Sequence, residues 1–181
     1  MHAIIGMKKN SPNELGVERF YGIVKEAEKL GVKIALENTE GESYLETLSN
    51  AFKDNENVGF CVDTGHEMCY NHSKDVIAKY GKNGKLIATH LNDNMGMTGN
   101  EINWFDDSHM MPFDGTADWD NIADRLIKYE LKGHLTFEIL AKNRPGRHTH
   151  DIYDLYDYNG FYSLALKKAK QLKKILEEKE K

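Results

Sequence analysis

The chain alternates between short apolar runs and longer segments whose apolar residues recur at helical spacing. The clearest run is 58–62, which is β-branched in part, has polar residues before it and is followed closely by Gly65. A run of this length and composition is typical of a buried strand in a parallel sheet. Similar runs occur elsewhere, and the predicted strands cover residues 2–5, 32–36, 58–62, 86–89 and 134–137.

Helical patterns fill most of the intervals between these runs. The predicted helices cover about 11–30, 43–52, 75–80 and 118–127, and further helices follow from about residue 151. Regular alternation of strand and helix predicts a parallel α/β sheet. The exception is a loop of about 25 residues after Asp93, and a loop this long inside a compact domain is usually functional.

Composition limits the class of protein. With 181 residues, of which 40% are hydrophobic, the chain can bury one sizeable core, so residues 1–181 are expected to form a single domain. The formal net charge of −5 argues against strong electrostatic binding to nucleic acid or to an anionic membrane. The sequence shows no membrane-spanning run and no signal-peptide pattern, and its two cysteines fit a reduced, cytoplasmic protein.

Potential metal ligands close four of the predicted strands. They are Glu37, Asp63, His90 and Glu138, and His66 follows Asp63 on the same loop. Because the carboxyl ends of parallel strands meet at one edge of a sheet, we expect these side chains to converge. Taken singly, Asp63 also fits a helix cap and His90 a hydrogen-bonded interior histidine. Together, the carboxylates and imidazole predict a site for a divalent ion such as Mn²⁺, Zn²⁺, Co²⁺ or Mg²⁺.

Four short segments resemble a known family. They are Ala-Leu-Glu-Asn-Thr at 35–39, Val-Asp-Thr-Gly-His at 62–66, His-Leu-Asn-Asp at 90–93 and Phe-Glu at 137–138. Together they resemble the xylose-isomerase-like TIM-barrel superfamily, which includes sugar-phosphate isomerases and epimerases, ketose 3-epimerases, inosose-handling enzymes and endonuclease IV. The resemblance runs from His2 to about Phe161. It implies an α/β fold, a partial (β/α) TIM barrel of about five parallel βα units from the C-terminal part of the barrel.

The resemblance also implies roles for individual residues. The metal ligands would be Glu37, Asp63, His90 and Glu138, and the two glutamates would also act as acid and base. The substrate would contact His66, Asp107, His109 and Arg144. A second metal site, like the additional zinc of endonuclease IV, would use His2, His66, Asp107 and His109. For Arg144 and its neighbour Arg147, ordinary loop solubility is an equally good explanation.

Three functions are compatible with these residues. The first is a divalent-metal-dependent sugar or sugar-phosphate isomerase or epimerase, which moves a proton next to a carbonyl. The second is an endonuclease IV-like zinc phosphodiesterase acting on abasic DNA, and the third is a catalytically inactive, metal-binding barrel fragment. The run 112–119, Pro-Phe-Asp-Gly-Thr-Ala-Asp-Trp, resembles the sugar-handling relatives. The acidic charge balance also favours a carbohydrate substrate, because a DNA-binding enzyme needs a basic groove.

The resemblance leaves part of a barrel unaccounted for. A complete barrel has eight strands and about 250 residues, so the first three βα units have no counterpart. Five units would leave two edges unpaired and the concave face incompletely filled. We therefore expect self-association, with a partial gene product or an opened sheet as the alternatives. Loss of three units would also remove substrate-binding loops, which leaves catalytic activity open.

Overall fold

The computed structural model describes residues 13–40 and 42–181. The described chain alternates between strands and helices, as the sequence predicts. Its regular elements are α1 (Glu14–Lys29), β1 (Ile34–Glu37), α2 (Glu42–Ala51), β2 (Val58–Asp63), α3 (Thr64–Cys69), α4 (Val76–Tyr80), β3 (Leu86–His90), α5 (Trp119–Lys128) and α6 (Tyr158–Lys179). Short 3-10 helices cover Trp104–Asp106 and Asp151–Tyr153. The predicted strand at 2–5 lies outside the described residues.

The three strands form a parallel sheet in the order β1-β2-β3. Ile34 pairs with Val58 at one end, and Asp63 pairs with His90 at the other. All six residues of the central strand β2 are buried. Among the described residues the sheet is open, so the α/β, partial-barrel fold predicted from the sequence is confirmed.

The segment 132–138 lies along the edge of β3 that faces away from β2. Lys132 N donates to Leu86 O, and Leu91 N donates to Thr136 O. One parallel bridge, between Leu91 and Phe137, pairs this segment with β3. Regular backbone pairing is interrupted because the Thr89 hydroxyl accepts from Thr136 N and donates to His134 O. The predicted strand at 134–137 is therefore correct in position and wrong as a regular strand.

The predicted helices are confirmed, and their ends follow local chemistry. Asn13 Oδ1 accepts from Gly16 N at the start of α1, and Asp118 Oδ1 accepts from Asn121 N at the start of α5. Gly31, with φ of +65°, follows the end of α1. The helix α3 was not predicted, because its six residues immediately follow a strand in what the sequence marks as a turn.

The helices pack against one face of the sheet. Side chains alternate across a strand, so Leu36, Phe60 and Val62 enter this core while Glu37 and Asp63 point to the opposite face. The long helix α6 is lysine-rich but anchored in the core by Leu172. No helix within 13–40 and 42–181 has the length and apolarity needed to cross a membrane.

Candidate metal centre

The four predicted metal ligands come together at the carboxyl end of the sheet. Glu37, Asp63 and His90 are the last residues of β1, β2 and β3, and Glu138 follows the segment beside β3. Each offers a ligand atom, and these atoms all lie within 4.8 Å of one another. The sheet thus gathers residues that are far apart in sequence, and their role as ligands stays a prediction.

His90 lies between the two glutamates. Its Nδ1 is 3.2 Å from Glu37 Oε1 and 2.8 Å from Glu138 Oε2. Contact with Glu138, and then with Glu37, raises the pKa of His90 to about 10. Burial alone would raise the pKa of Glu37, but contacts with His66 and His90 outweigh it and lower this pKa to about 2. Glu37 is 1% exposed and the Glu138 side chain is 38% exposed, so only the latter opens to solvent.

Asp63 is fully buried, and its carboxylate accepts three hydrogen bonds. Asn92 Nδ2 donates to both carboxylate oxygens, at 3.1 and 3.0 Å, and His66 N donates to Oδ1 at 2.7 Å. The last bond makes Asp63 the N-cap of α3, so the same side chain both caps a helix and belongs to the cluster. Burial raises the pKa of Asp63 to about 6 despite the nearby His66.

The donor set fits a divalent ion. Three carboxylates and one imidazole are hard or borderline ligands, which suit Mn²⁺, Zn²⁺, Co²⁺ or Mg²⁺. Cys61 also lies within reach of Glu37 and His90. Burial raises the pKa of the Cys61 thiol, which disfavours the thiolate that a metal would need. The set that includes Asp63 is therefore the better candidate.

Buried asparagines hold the cluster in place. Asn38 Oδ1 accepts from Asp63 N, and Asn38 Nδ2 donates to Asp63 O and to Asn71 Oδ1. These bonds clamp the end of β1 to the end of β2. Asn38 and Asn92 lie within the family-like motifs of the sequence, which predict no role for them. The available signal was their position one or two residues after a strand-end acid or histidine.

The long loop after β3 returns to the site because it folds around Asp93. Asp93 Oδ2 accepts from Trp119 Nε1 at 2.8 Å and from Phe113 N at 3.1 Å, and Oδ1 accepts from Ala117 N at 2.9 Å. A Cβ at Gly115 would lie 2.3 Å from Asp93 Oδ1, so this position requires glycine. The run 112–119 is thus a scaffold that positions the preceding residues 107–109.

A second cluster adjoins the first and consists of His66, Asp107 and His109. Their ligand atoms also lie within 4.8 Å of one another. His109 Nε2 is 3.0 Å and His66 Nε2 is 3.6 Å from Asp107 Oδ2. Burial would raise the pKa of Asp107, but the two histidines outweigh it and lower this pKa. His2, the fourth residue predicted for a second metal, lies outside the described residues.

The imidazoles of the second cluster are oriented by backbone carbonyls. His66 Nδ1 is 2.8 Å from Asn38 O, and His109 Nδ1 is 3.1 Å from Glu138 O. Since carbonyl and carboxylate oxygens can only accept, each Nδ1 donates to its carbonyl, and His109 Nε2 donates to Asp107 Oδ2. The backbone of His109 has φ of +54°, a strained conformation of the kind found at functional sites.

Arg144, for which contact with substrate stays a prediction, lies at this second cluster. Its Nε donates to Asp107 O at 2.8 Å, and its Nη2 lies 3.4 Å from Asp107 Oδ2. Its guanidinium lies 4.5 Å from the centre of the Trp104 ring. The neighbouring Arg147 instead pairs with Asp106 at 2.7 Å. The two arginines therefore have different surroundings, which the sequence did not distinguish.

The chain matches a family of known proteins and is similar to a curated protein. A family model for xylose isomerase-like TIM barrels matches residues 11–155. The uncharacterised protein y4fM of Sinorhizobium fredii is 34% identical over 113 residues, which cover 59% of this chain and 33% of that protein.

Solved structures share the fold at low sequence identity. The D-psicose 3-epimerase of Clostridium cellulolyticum H10, crystallised with D-tagatose, has a TM-score of 0.63 at 20% identity, covering 95% of this chain and 60% of that one. A xylose isomerase domain protein from Alicyclobacillus acidocaldarius has a TM-score of 0.62 at 16% identity, covering 97% and 62%. The chain therefore spans a third of the curated relative and about three-fifths of these structures.

Gly65 provides a test of the packing around Asp63. A Cβ at this position would lie 1.8 Å from Asn92 Oδ1 and 2.7 Å from Asn94 Nδ2. We expect Gly65→Ala to displace Asn92 and to lower the free energy of unfolding by about 1–3 kcal/mol, as overpacking does. Urea denaturation followed by circular dichroism measures this. Gly22→Ala, in open space on α1, is the matched control and should be neutral or stabilising. Equal stability of Gly65→Ala and wild type would contradict the packing described here.

Proposed function

We propose, given that this chain belongs to the family of xylose isomerase-like TIM barrels, that it is a divalent-metal-dependent sugar or sugar-phosphate isomerase or epimerase. The observation that supports this most is the convergence of Glu37, Asp63, His90 and Glu138 at one end of the sheet. The likeness to a structure described as a D-psicose 3-epimerase is consistent with the same class of chemistry. The substrate class, the metal and the reaction are parts of this proposal.

The two glutamates would transfer the proton. A bound divalent ion would polarise a substrate carbonyl and acidify the adjacent C–H. Glu37 has a low pKa and stays a carboxylate, so it would accept a proton only from an acidified carbon. Glu138 is half-buried at the opening of the site, where it would exchange protons with substrate or water. Asp63, whose carboxylate is fixed by hydrogen bonds from Asn92, would act as a ligand and take no part in proton transfer.

The second cluster would bind the substrate. The imidazoles of His66 and His109, the Asp107 carboxylate and the Arg144 guanidinium lie together beside the first cluster, and substrate hydroxyls would replace some of their contacts with one another. Polyhydroxylated molecules need several such groups in fixed positions. The carbohydrate class of substrate in this proposal rests on this arrangement together with the family.

One observation favours a second candidate function. The His66–Asp107–His109 cluster could hold a further metal ion, as a zinc phosphodiesterase acting on abasic DNA requires. The net charge of −5 disfavours binding to DNA. A metal-binding protein without catalytic activity is the third candidate.

The proposal predicts that Glu138 is needed for metal binding. We expect Glu138→Gln to lose most of its bound divalent ion, because the amide offers a weaker ligand and removes a negative charge. Elemental analysis of the purified proteins after dialysis measures this. Glu18→Gln, an exposed glutamate on α1, is the control and should bind as wild type does. Equal metal content in Glu138→Gln and wild type would remove Glu138 from the ligand set.

The reaction itself is tested by carbon–hydrogen exchange. Incubated in D₂O with Mn²⁺ or Co²⁺, the protein should place deuterium next to the carbonyl of a ketose or inosose, as detected by mass spectrometry. Glu37→Gln and Glu138→Gln should each lower the exchange rate by about 10²-fold or more, and Glu18→Gln should not. Bound metal with no exchange across a panel of sugars would overturn the proposal. Incision of an abasic oligonucleotide, abolished by a chelator, would support the phosphodiesterase.

We also propose that the chain self-associates, as expected from the open edges of the partial barrel, and that its C-terminal part contributes to the interface. Large apolar side chains are exposed there on the 3-10 helix, the following turn and α6; they are Ile152, Leu155, Tyr156, Tyr158, Tyr162 and Leu166. On α6, residues 158, 162 and 166 recur every fourth position and so form one continuous stripe. A contiguous apolar surface of this kind usually marks an interface. A second copy of the chain is the proposed partner.

Light scattering tests self-association directly. At micromolar concentration we expect a mass of at least twice the 20.7 kDa of one chain. Tyr162→Lys, which places a charge in the middle of the stripe, should shift the mass toward that of a monomer. Glu177→Lys, on a polar part of the same helix, should leave it unchanged. A well-folded wild-type monomer would contradict the proposal.

A further inference from the structure

The second cluster has the chemistry of a cation site. The Nε2 atoms of His66 and His109 both approach Asp107 Oδ2, at 3.6 and 3.0 Å. Their Nδ1 protons are engaged by the carbonyls of Asn38 and Glu138, which fixes the two rings. Backbone carbonyls that hold the distal nitrogen are typical partners of metal-binding histidines. Judged by these three residues alone, a second divalent ion would be expected here.

A positive charge already lies at this cluster. The guanidinium of Arg144 donates from Nε to Asp107 O at 2.8 Å and places Nη2 3.4 Å from Asp107 Oδ2. The face of Trp104 lies 4.5 Å away, and the Arg144 side chain is 22% exposed. Tyr70 Oη donates to the same Oδ2 at 3.2 Å. A guanidinium held by a carbonyl, a carboxylate and an aromatic ring is fixed in position.

The two cations would compete for one negative charge. Asp107 is the single carboxylate of the cluster, and the guanidinium of Arg144 already contacts it. Two positive charges within a few ångströms of each other repel strongly where side chains are mostly buried. The neighbouring carboxylates Glu37, Asp63 and Glu138 belong to the first cluster, where they would already balance one ion.

We propose that Arg144 takes the place of a second cation at His66, Asp107 and His109, so that each chain holds one divalent ion. This rests on the proposed function, in which that ion lies at Glu37, Asp63, His90 and Glu138. One ion is sufficient for proton transfer beside a carbonyl, whereas phosphodiester hydrolysis commonly uses two or more ions that clamp the attacking and leaving oxygens. By excluding a second ion, Arg144 permits the isomerase chemistry and disfavours the phosphodiesterase chemistry.

Counting bound ions tests this inference. The full chain, freed of metal by a chelator, is dialysed against Zn²⁺, and the zinc bound per chain is measured by elemental analysis. We expect one ion in wild type and one additional ion in Arg144→Ala and Arg144→Gln. Arg144→Lys retains the positive charge and should bind as wild type does. In the double variant Arg144→Ala/His109→Ala the additional ion should be lost, which places it at the second cluster.

Arg147→Ala is the matched control, since Arg147 pairs with Asp106 outside the cluster. It should bind the same number of ions as wild type. Circular dichroism confirms that each variant is folded, and Arg144→Gln retains most of the side-chain volume if Arg144→Ala does not fold. Two ions in wild type, no gain in either Arg144 variant, or an equal gain in Arg147→Ala would overturn the inference.

The inference and the proposed function fail in different ways. The inference is judged by the difference in zinc between Arg144→Ala and wild type. The proposed function is judged by the wild-type ion that Glu138→Gln removes. A wild type that binds no ion contradicts the proposed function, and a gain of one ion in Arg144→Ala would still support the role of Arg144.

Discussion

Two carboxylates, Glu37 and Asp63, are buried at the ends of adjacent strands, and each is surrounded by hydrogen-bond donors or imidazoles. An unpartnered buried carboxylate is costly, so each needs hydrogen-bond donors or positive charge nearby. Asp63 receives its donors from Asn92 and from the start of α3, and Glu37 lies beside the imidazoles of His66 and His90. The parallel sheet makes this possible because it brings successive strand ends to one edge.

Fixed hydrogen bonds organise the loops at this edge, together with the apolar contacts of Met111, Phe113 and Trp119. Asn38 ties the end of β1 to β2, and Asp93 gathers four donors, three of them from the run 113–119. Such fully partnered buried networks specify one arrangement of the chain, since any other leaves polar groups unsatisfied. The apolar core lies on the opposite face of the sheet, against the helices.

The sequence was sufficient for the fold and for the convergence of the first cluster. The parallel α/β sheet and the convergence follow from the alternation of strand and helix and from one polar residue at each strand end, which are local patterns, whereas the partial barrel is implied by the family resemblance. The roles of Asn38 and Asn92 could not be predicted, because an asparagine after a strand is equally compatible with a turn. The same limit applies to Arg144 and Arg147, whose difference depends on contacts with residues about 40 positions away. The irregular pairing of 134–138 depends on the side chain of Thr89, which strand propensity does not include.

Glu138 belongs to both clusters through different atoms. Its carboxylate contacts His90, while its backbone carbonyl accepts from His109 Nδ1. The segment that precedes it is joined to β3 by one bridge, by the bond from Lys132 N to Leu86 O and by the Thr89 hydroxyl, so its pairing is less regular than the pairing among β1, β2 and β3. A displacement of this single residue therefore moves a carboxylate in one cluster and releases an imidazole in the other. Movement of this segment away from β3 would disrupt both clusters at once, and its return would restore both at once.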